Sequence, residues 1–210
     1  MQYLCIFFCM KKVIQSFIRQ LVFWILFFDL TRLIFLLYYL DIIRAESITL
    51  TECAGIFVHS FKLDLATACY VMVVPFLILA VQSFRNHRWL NLANKIYSGI
   101  VITGYSLSAA GEMGIYAEWK TKLTYKVIKY LSNPGEIFNS AEAGTFFLLI
   151  FLFLLMSVGS IYAYLKWFYV EIRQSANGFG YALLFTLIVP GFLLVGLRGG
   201  FQQIPINQSQ

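Results

Sequence analysis

Stretches of about twenty residues with almost no charge recur five times along this chain, and they fix the solvent in which it folds. A helix rises 1.5 Å per residue, so about twenty apolar residues match a hydrocarbon layer of roughly 30 Å. The stretches fall at residues 21–40, 65–84, 96–116, 144–168 and 181–197. The composition agrees, because 60% of the residues are hydrophobic and 12% charged, against roughly 45–50% and about 25% in soluble domains. The sequence predicts an all-α polytopic membrane protein with about five transmembrane helices in residues 17–200. Residues 1–16 form a cytoplasmic segment and residues 201–210 begin an extracytoplasmic connector.

What remains outside these spans limits the chemistry. The intervening pieces, residues 41–64, 85–95, 117–143 and 169–180, are each shorter than the roughly 50 residues of a small domain. A reaction centre therefore belongs among the helices, at their ends, or on polypeptide not present in this sequence. Cys5, Cys9, Cys53 and Cys69 form neither a CxxC motif nor a zinc spacing, and the only histidines are His59 and His87. No disulfide, metal site, cofactor or histidine-based triad is expected in this chain.

Lys11, Lys12 and Arg19 ahead of an apolar run resemble a signal peptide. The run is too long, lacks a small-residue cleavage site and encloses Asp29 and Arg32, so a retained first helix is expected. Met10-Lys11-Lys12 reads as a natural start, with the preceding residues as an upstream extension.

Basic residues divide almost evenly between the two sides of a five-span topology. The short 85–95 loop, with Arg85, Arg88 and Lys95 and no acid, favours a cytoplasmic N-terminus and an external C-terminus.

Asp29 and Arg32 lie three apart on one helical face and are expected to pair within the membrane, either as a structural ion pair at a bundle interface or as a head-group or proton site. In the third span, Gly104/Ser108 and Ala110/Gly114 are small residues four apart, the spacing that lets helices approach closely. Glu112 in that span and Glu118 just beyond it are either functional carboxylates or partners of basic residues on a neighbour. Residues 119–131 are amphipathic, with Trp119, Leu123, Val127, Tyr130 and Leu131 on one side and Lys122, Lys126 and Lys129 on another. An interfacial helix is expected there, either contacting anionic phospholipid or simply bracing the surface. Ser132-Asn133-Pro134-Gly135 ends it, and Asn139 with Glu142 forms a capping box for the fourth span.

Three of these motifs share the outer side: Phe57-Val58-His59-Ser60-Phe61-Lys62-Leu63-Asp64, the stretch from Glu112 to Trp119, and Gly196-Leu197-Arg198-Gly199-Gly200. With Tyr116-Ala117-Glu118-Trp119, Tyr130-Leu131-Ser132-Asn133-Pro134 and Ile204-Pro205-Ile206, their order resembles the N-terminal membrane region of bacterial lipoteichoic acid synthase-like proteins, the sulfatase-fold phosphoglycerol transferases of the alkaline phosphatase superfamily. The resemblance runs from about Lys11 to Asn207, with one departure at Ser60, where relatives commonly carry glycine.

It implies a five-helix anchor followed by a large extracytoplasmic domain. That domain would hold a threonine nucleophile and a divalent metal, manganese or magnesium, downstream of the last residue here. No residue of this chain inherits those roles, and the end at Gln208-Ser209-Gln210 reads as truncation within a connector. By itself the chain is expected to be inert, resident in the bacterial cytoplasmic membrane, bound to lipid and not to nucleic acid. The candidate lipid head-group contacts are Lys62, Asp64, Glu112, Glu118, Lys122, Lys126 and Arg198, with Asp29 and Arg32 as the intramembrane pair. The alternative expectation is a stand-alone membrane protein, a transporter component or assembly partner, using Asp29, Arg32 and Glu112 as a polar path. The absence of an evident inverted repeat or ATP-binding loop weighs against it.

Overall fold

The structure, a computed structural model, describes residues 2–47, 49–85, 87–119, 143–172 and 179–198. For residues 2–10, 50, 117–119, 143, 179 and 181 it describes the backbone alone. Lys122, Lys126, the expected interfacial helix beyond its first residue, the Asn139/Glu142 cap and the 201–210 connector lie outside the described residues.

The chain forms α1 (Gln2–Tyr38), α2 (Leu40–Ala45), α3 (Leu50–Phe84), α4 (Arg88–Trp119) and α5 (Ala143–Ala163). A π-helical turn (Tyr164–Phe168) ends α5, and α6 (Phe179–Leu197) follows. No strand occurs among the described residues, so the protein is all-α. Helices occupy all five apolar stretches, but only three, Lys11–Tyr38, Thr51–Phe84 and Gly144–Phe168, are by themselves long and apolar enough to cross a membrane.

This differs from the expected count of about five, for two physical reasons. One face of α4 buries Asn91, Asn94, Ser98 and Ser106 against its neighbours, which lowers its mean hydropathy below that of a lipid-facing span; Asn91 and Ser98 are hydrogen-bonded inside the bundle, whereas Asn94 Oδ1 and Ser106 Oγ find no partner among the described residues. The apolar part of α6, Ala182–Leu197, is shorter, about 24 Å at 1.5 Å per residue.

Helix α3 begins well before its apolar window. Thr49 and Glu52 form a capping box, the Glu52 N–H donating to Thr49 Oγ1 at 3.4 Å and the Thr49 N–H to Glu52 Oε2 at 2.8 Å. Two of the donors that a helix start leaves unpaired are thereby satisfied, and residues 57–64 are helical. Ser60 donates to the Ile56 carbonyl within that helix at 2.7 Å.

The packing of α1 against α3 sets the register of the bundle. At one level Arg32 meets Asp64, and at another Phe17 and Phe76 both contact Phe185 of α6, with ring centroids 6.2 and 5.8 Å apart. Residue numbers rise along α1 as they fall along α3, so the helices are antiparallel, and counting back from the ion pair puts Lys12 level with Phe84. Between these levels each helix runs for about twenty residues, ~30 Å, the thickness of a hydrocarbon core. Lys11, Lys12, Arg85 and Arg88 mark one rim. The Arg32–Asp64 pair marks the other.

Trp24, Phe27, Phe28, Met72, Leu79 and Ile102 fill the interior between the rims. Small residues admit the tightest approaches: a Cβ on Gly114 would lie 2.9 Å from Leu149 of α5, and one on Gly196 would lie 2.2 Å from the Cys69 sulfur. The two expected pairs of small residues therefore diverge. Ala110/Gly114 lies at the α4–α5 contact, whereas Gly104 has open space beside it and Ser108 is exposed.

Proline at Pro75 removes an N–H and orphans the carbonyl four residues back, that of Val71. Tyr97 of α4 donates its hydroxyl to that carbonyl at 3.0 Å. The Tyr97→Phe substitution is expected to destabilise the bundle by about 0.6–1.7 kcal/mol, the range for interhelical hydrogen bonds in membranes. The expected loss disappears in a Pro75→Ala background, where the helix itself satisfies Val71. An equal loss in both backgrounds, measured by unfolding in mixed micelles, would exclude this account.

At the basic rim the π-helical turn changes the facing of the chain. Residues five apart on an α-helix point about 140° apart, but the widened turn bonds the Tyr169 N–H to the Tyr164 carbonyl at 2.8 Å and brings the two rings to 5.9 Å. Asn91 then holds the exit of the chain. Its Oδ1 accepts from Gln82 Nε2 at 3.0 Å and from the Tyr169 hydroxyl at 2.9 Å, while its Nδ2 donates to the Ile172 carbonyl at 2.8 Å.

Candidate functional site: a cleft at one rim of the bundle

At the level of the Arg32–Asp64 pair, α1, α3 and α4 part to leave a cleft of about 260 Å³. Phe27, Phe28, Leu63 and Tyr105 make its apolar part, and Thr31, Asp64, Thr67, Ser108 and Glu112 its polar part. The spacing follows from helical periodicity: Phe28/Thr31, Asp64/Thr67 and Ser108/Glu112 are i,i+3 or i,i+4 neighbours, each on one face.

Arg32 reaches across from α1 to α3. Its Nη1 and Nη2 donate to the two oxygens of Asp64 at 2.6 and 2.9 Å, a two-pronged, charge-assisted pairing. Its guanidinium also lies 5.9 Å from the Phe57 ring centre, within cation–π range. Asp29 stands farther off, 3.7 Å from the same guanidinium. The neighbour expected from spacing is thus present, but Arg32's hydrogen bonds go to Asp64, 32 residues away along the chain.

Glu112 is half-buried, lines the cleft and has no hydrogen-bond or ion-pair partner among the described residues. The local charge is therefore three carboxylates, Asp29, Asp64 and Glu112, against one guanidinium. The two threonine hydroxyls are already used as donors, Thr31 to the Phe28 carbonyl and Thr67 to the Leu63 carbonyl, both at 2.8 Å. Their oxygens retain accepting capacity.

The other sequence candidates are placed differently. Lys62 is exposed on α3, and Arg198 is exposed just past α6; neither lines the cleft. Glu118 is in the last turn of α4, where only the backbone is described. Thr31, Thr67 and Tyr105 were not singled out from sequence, and Ser108 only as a small residue paired with Gly104. The available signal was helical spacing, with Thr31, Thr67 and Ser108 one turn from Phe28, Asp64 and Glu112, and Tyr105 two turns from Glu112.

A second polar cluster lies toward the basic rim, where Gln20 donates to Ser16 at 3.0 Å and accepts from Tyr164 at 3.1 Å, and Ser98 donates to Tyr164 at 2.9 Å. Fully buried Trp24, Met72 and Ile102 stand between this cluster and the cleft. Hydrogen-bonded polar side chains are thus concentrated near each rim, and between them the polar atoms include the Thr103–Ser157 hydroxyl pair at 3.2 Å and Trp24 Nε1, unpartnered among the described residues. Comparison with known proteins finds no matching family model, curated protein or solved structure.

Proposed function

We propose that this chain is the membrane anchor of an enzyme of the lipoteichoic acid synthase-like, sulfatase-fold phosphoglycerol transferase class, and that its cleft receives the head group of a membrane lipid. The anchor resides in a bacterial cytoplasmic membrane with its N-terminus inside and C-terminus outside. The catalytic threonine and the manganese or magnesium ion belong to a downstream domain. The order of the motifs from Phe57 to Ile206 supports the class, and the Lys11, Lys12, Arg85 and Arg88 rim supports the orientation.

The observation that carries the lipid reading is the cleft's position. Phe27, Phe28 and the Tyr105 ring lie at its deeper end and Asp64, Ser108 and Glu112 toward the rim, at the level where a ~30 Å apolar layer ends. A phospholipid changes from acyl chain to head group at that same depth. Ligand sites of this kind combine apolar walls with a few convergent polar groups.

Filling the cleft tests the reading. Ser108→Phe is expected to lower the phospholipid retained after detergent purification about five-fold, the equivalent of ~1 kcal/mol. Leu107→Phe, at an exposed position on the same helix, is expected to leave retention unchanged. Equal retention by Ser108→Phe and the unaltered protein, with both folded, would remove the lipid site from the proposal.

A further inference from the structure

We propose that the cleft selects a lipid whose head group carries a protonated primary amine, and that Glu112 receives that ammonium. This rests on the lipid reading above and specifies its chemistry. The expectation from Lys122, Lys126 and Lys129 was an anionic lipid, but those residues lie outside the described structure, and the cleft itself has the opposite character.

Charge is the first argument. Arg32 is held in a two-pronged pair by Asp64, with Asp29 also beside it, which leaves the Glu112 carboxylate uncompensated among the described residues. A half-buried carboxylate at the edge of hydrocarbon is costly unless a cation joins it. An incoming phosphate without an amine would add a further negative charge.

Hydrogen-bonding capacity is the second argument, and it is independent of net charge. The carboxylates of Asp64 and Glu112 are acceptors only. Thr31 and Thr67 have spent their protons on carbonyls of their own helices. Tyr105 and Ser108 each keep one O–H, which the phosphate of the same head group can accept, while the Glu112 carboxylate, unpartnered among the described residues, and the oxygens of Thr31 and Thr67 remain as acceptors for an ammonium with its three N–H groups. A trimethylated ammonium carries the same charge but has no N–H to give.

The apolar wall of Phe27, Phe28 and the Tyr105 ring at the deeper end specifies the source. A soluble amine would leave that wall unused, whereas a lipid covers it with glycerol and the start of its acyl chains. The occupant is a bilayer lipid.

The test uses the full chain in nanodiscs containing equal amounts of phosphatidylethanolamine, phosphatidylcholine and phosphatidylglycerol, with bound lipid read by native mass spectrometry after release. The expected result is at least a five-fold preference for phosphatidylethanolamine over each of the others. In Glu112→Gln that preference falls below two-fold while the unfolding temperature holds. Soluble phosphoethanolamine at millimolar concentration is expected not to displace the lipid.

Equal binding of the three lipids, a preference for phosphatidylglycerol, or full preference in Glu112→Gln would each overturn the proposal. Displacement by soluble phosphoethanolamine would overturn the lipid source. Ser108→Phe separates this from the preceding reading. If it lowers retention of all three lipids equally, and the unaltered protein shows no preference among them, the lipid site stands and the ammonium assignment falls. If it lowers none, both fall.

Discussion

Replacing Arg32 by methionine is expected to destabilise the bundle by about 3–5 kcal/mol, the usual result of stripping one partner from a buried ion pair. Asp64 has only 8% of its side chain exposed and receives both of its ionic hydrogen bonds from Arg32, so the substitution leaves a carboxylate facing apolar surroundings. Asp64→Asn is expected to cost less, because Asp29 at 3.7 Å remains available to the guanidinium. The double substitution Arg32→Met with Asp64→Leu removes both charges and is expected to recover most of the loss, since well-packed apolar replacements of buried pairs are often neutral. Unfolding titrations in mixed micelles measure all three. A loss below about 1 kcal/mol for Arg32→Met would show that the pair is solvated rather than structural.

The second large effect is expected at the α3–α6 contact. Adding a Cβ to Gly196 places it 2.2 Å from the sulfur and 3.3 Å from the Cβ of Cys69, and Cys69 is fully buried. Neither distance accommodates two carbon-bonded atoms at van der Waals separation, so α6 must move away from α3. Overpacking of this kind commonly costs about 1–3 kcal/mol. Gly196→Ala is expected at the upper end of that range, because the clash is with the side chain of a fully buried cysteine, which has a single χ angle with which to yield. Cys69→Ala removes the sulfur but keeps the Cβ, so the pair Gly196→Ala/Cys69→Ala is expected to recover stability in part. No recovery at all would mean that Gly196 acts through something other than this approach.

Sequence and structure agree where a local pattern carries the information. Apolar runs of about twenty residues are read one at a time, and each of the five is helical over nearly all its length, the first passing from α1 into α2 at Tyr39 and the fourth ending in the π-helical turn. Helix starts were harder. The run beginning at residue 65 hid the fact that α3 starts at Leu50, although Thr49-x-x-Glu52 is a capping signal legible in the sequence. Polar pairing was least legible. Asp29 is Arg32's neighbour by spacing, yet Asp64 takes its hydrogen bonds through an antiparallel register that no local window contains. Asn91 reads as an ordinary polar residue near a helix start. Only the π-helical turn, which redirects Tyr169 and Ile172, makes it a hub. The cleft combines both cases: Glu112 stands out as a carboxylate in an apolar stretch, whereas Thr31 and Thr67 gain meaning only when α1 and α3 meet.

The apolar layer formed by Trp24, Met72 and Ile102 between the two polar clusters has an electrical consequence. A cell membrane sustains a potential in which each elementary charge experiences about 2.3 kcal/mol per 100 mV, and a hydrated thread through the bundle would dissipate that gradient. Here Trp24, Met72 and Ile102 at mid-depth, with the Thr103–Ser157 hydroxyl pair beside them, carry no charge, so an ion would meet no ionic partner at that level among the described residues. A midsection of this kind is expected to resist the passage of ions between the rims.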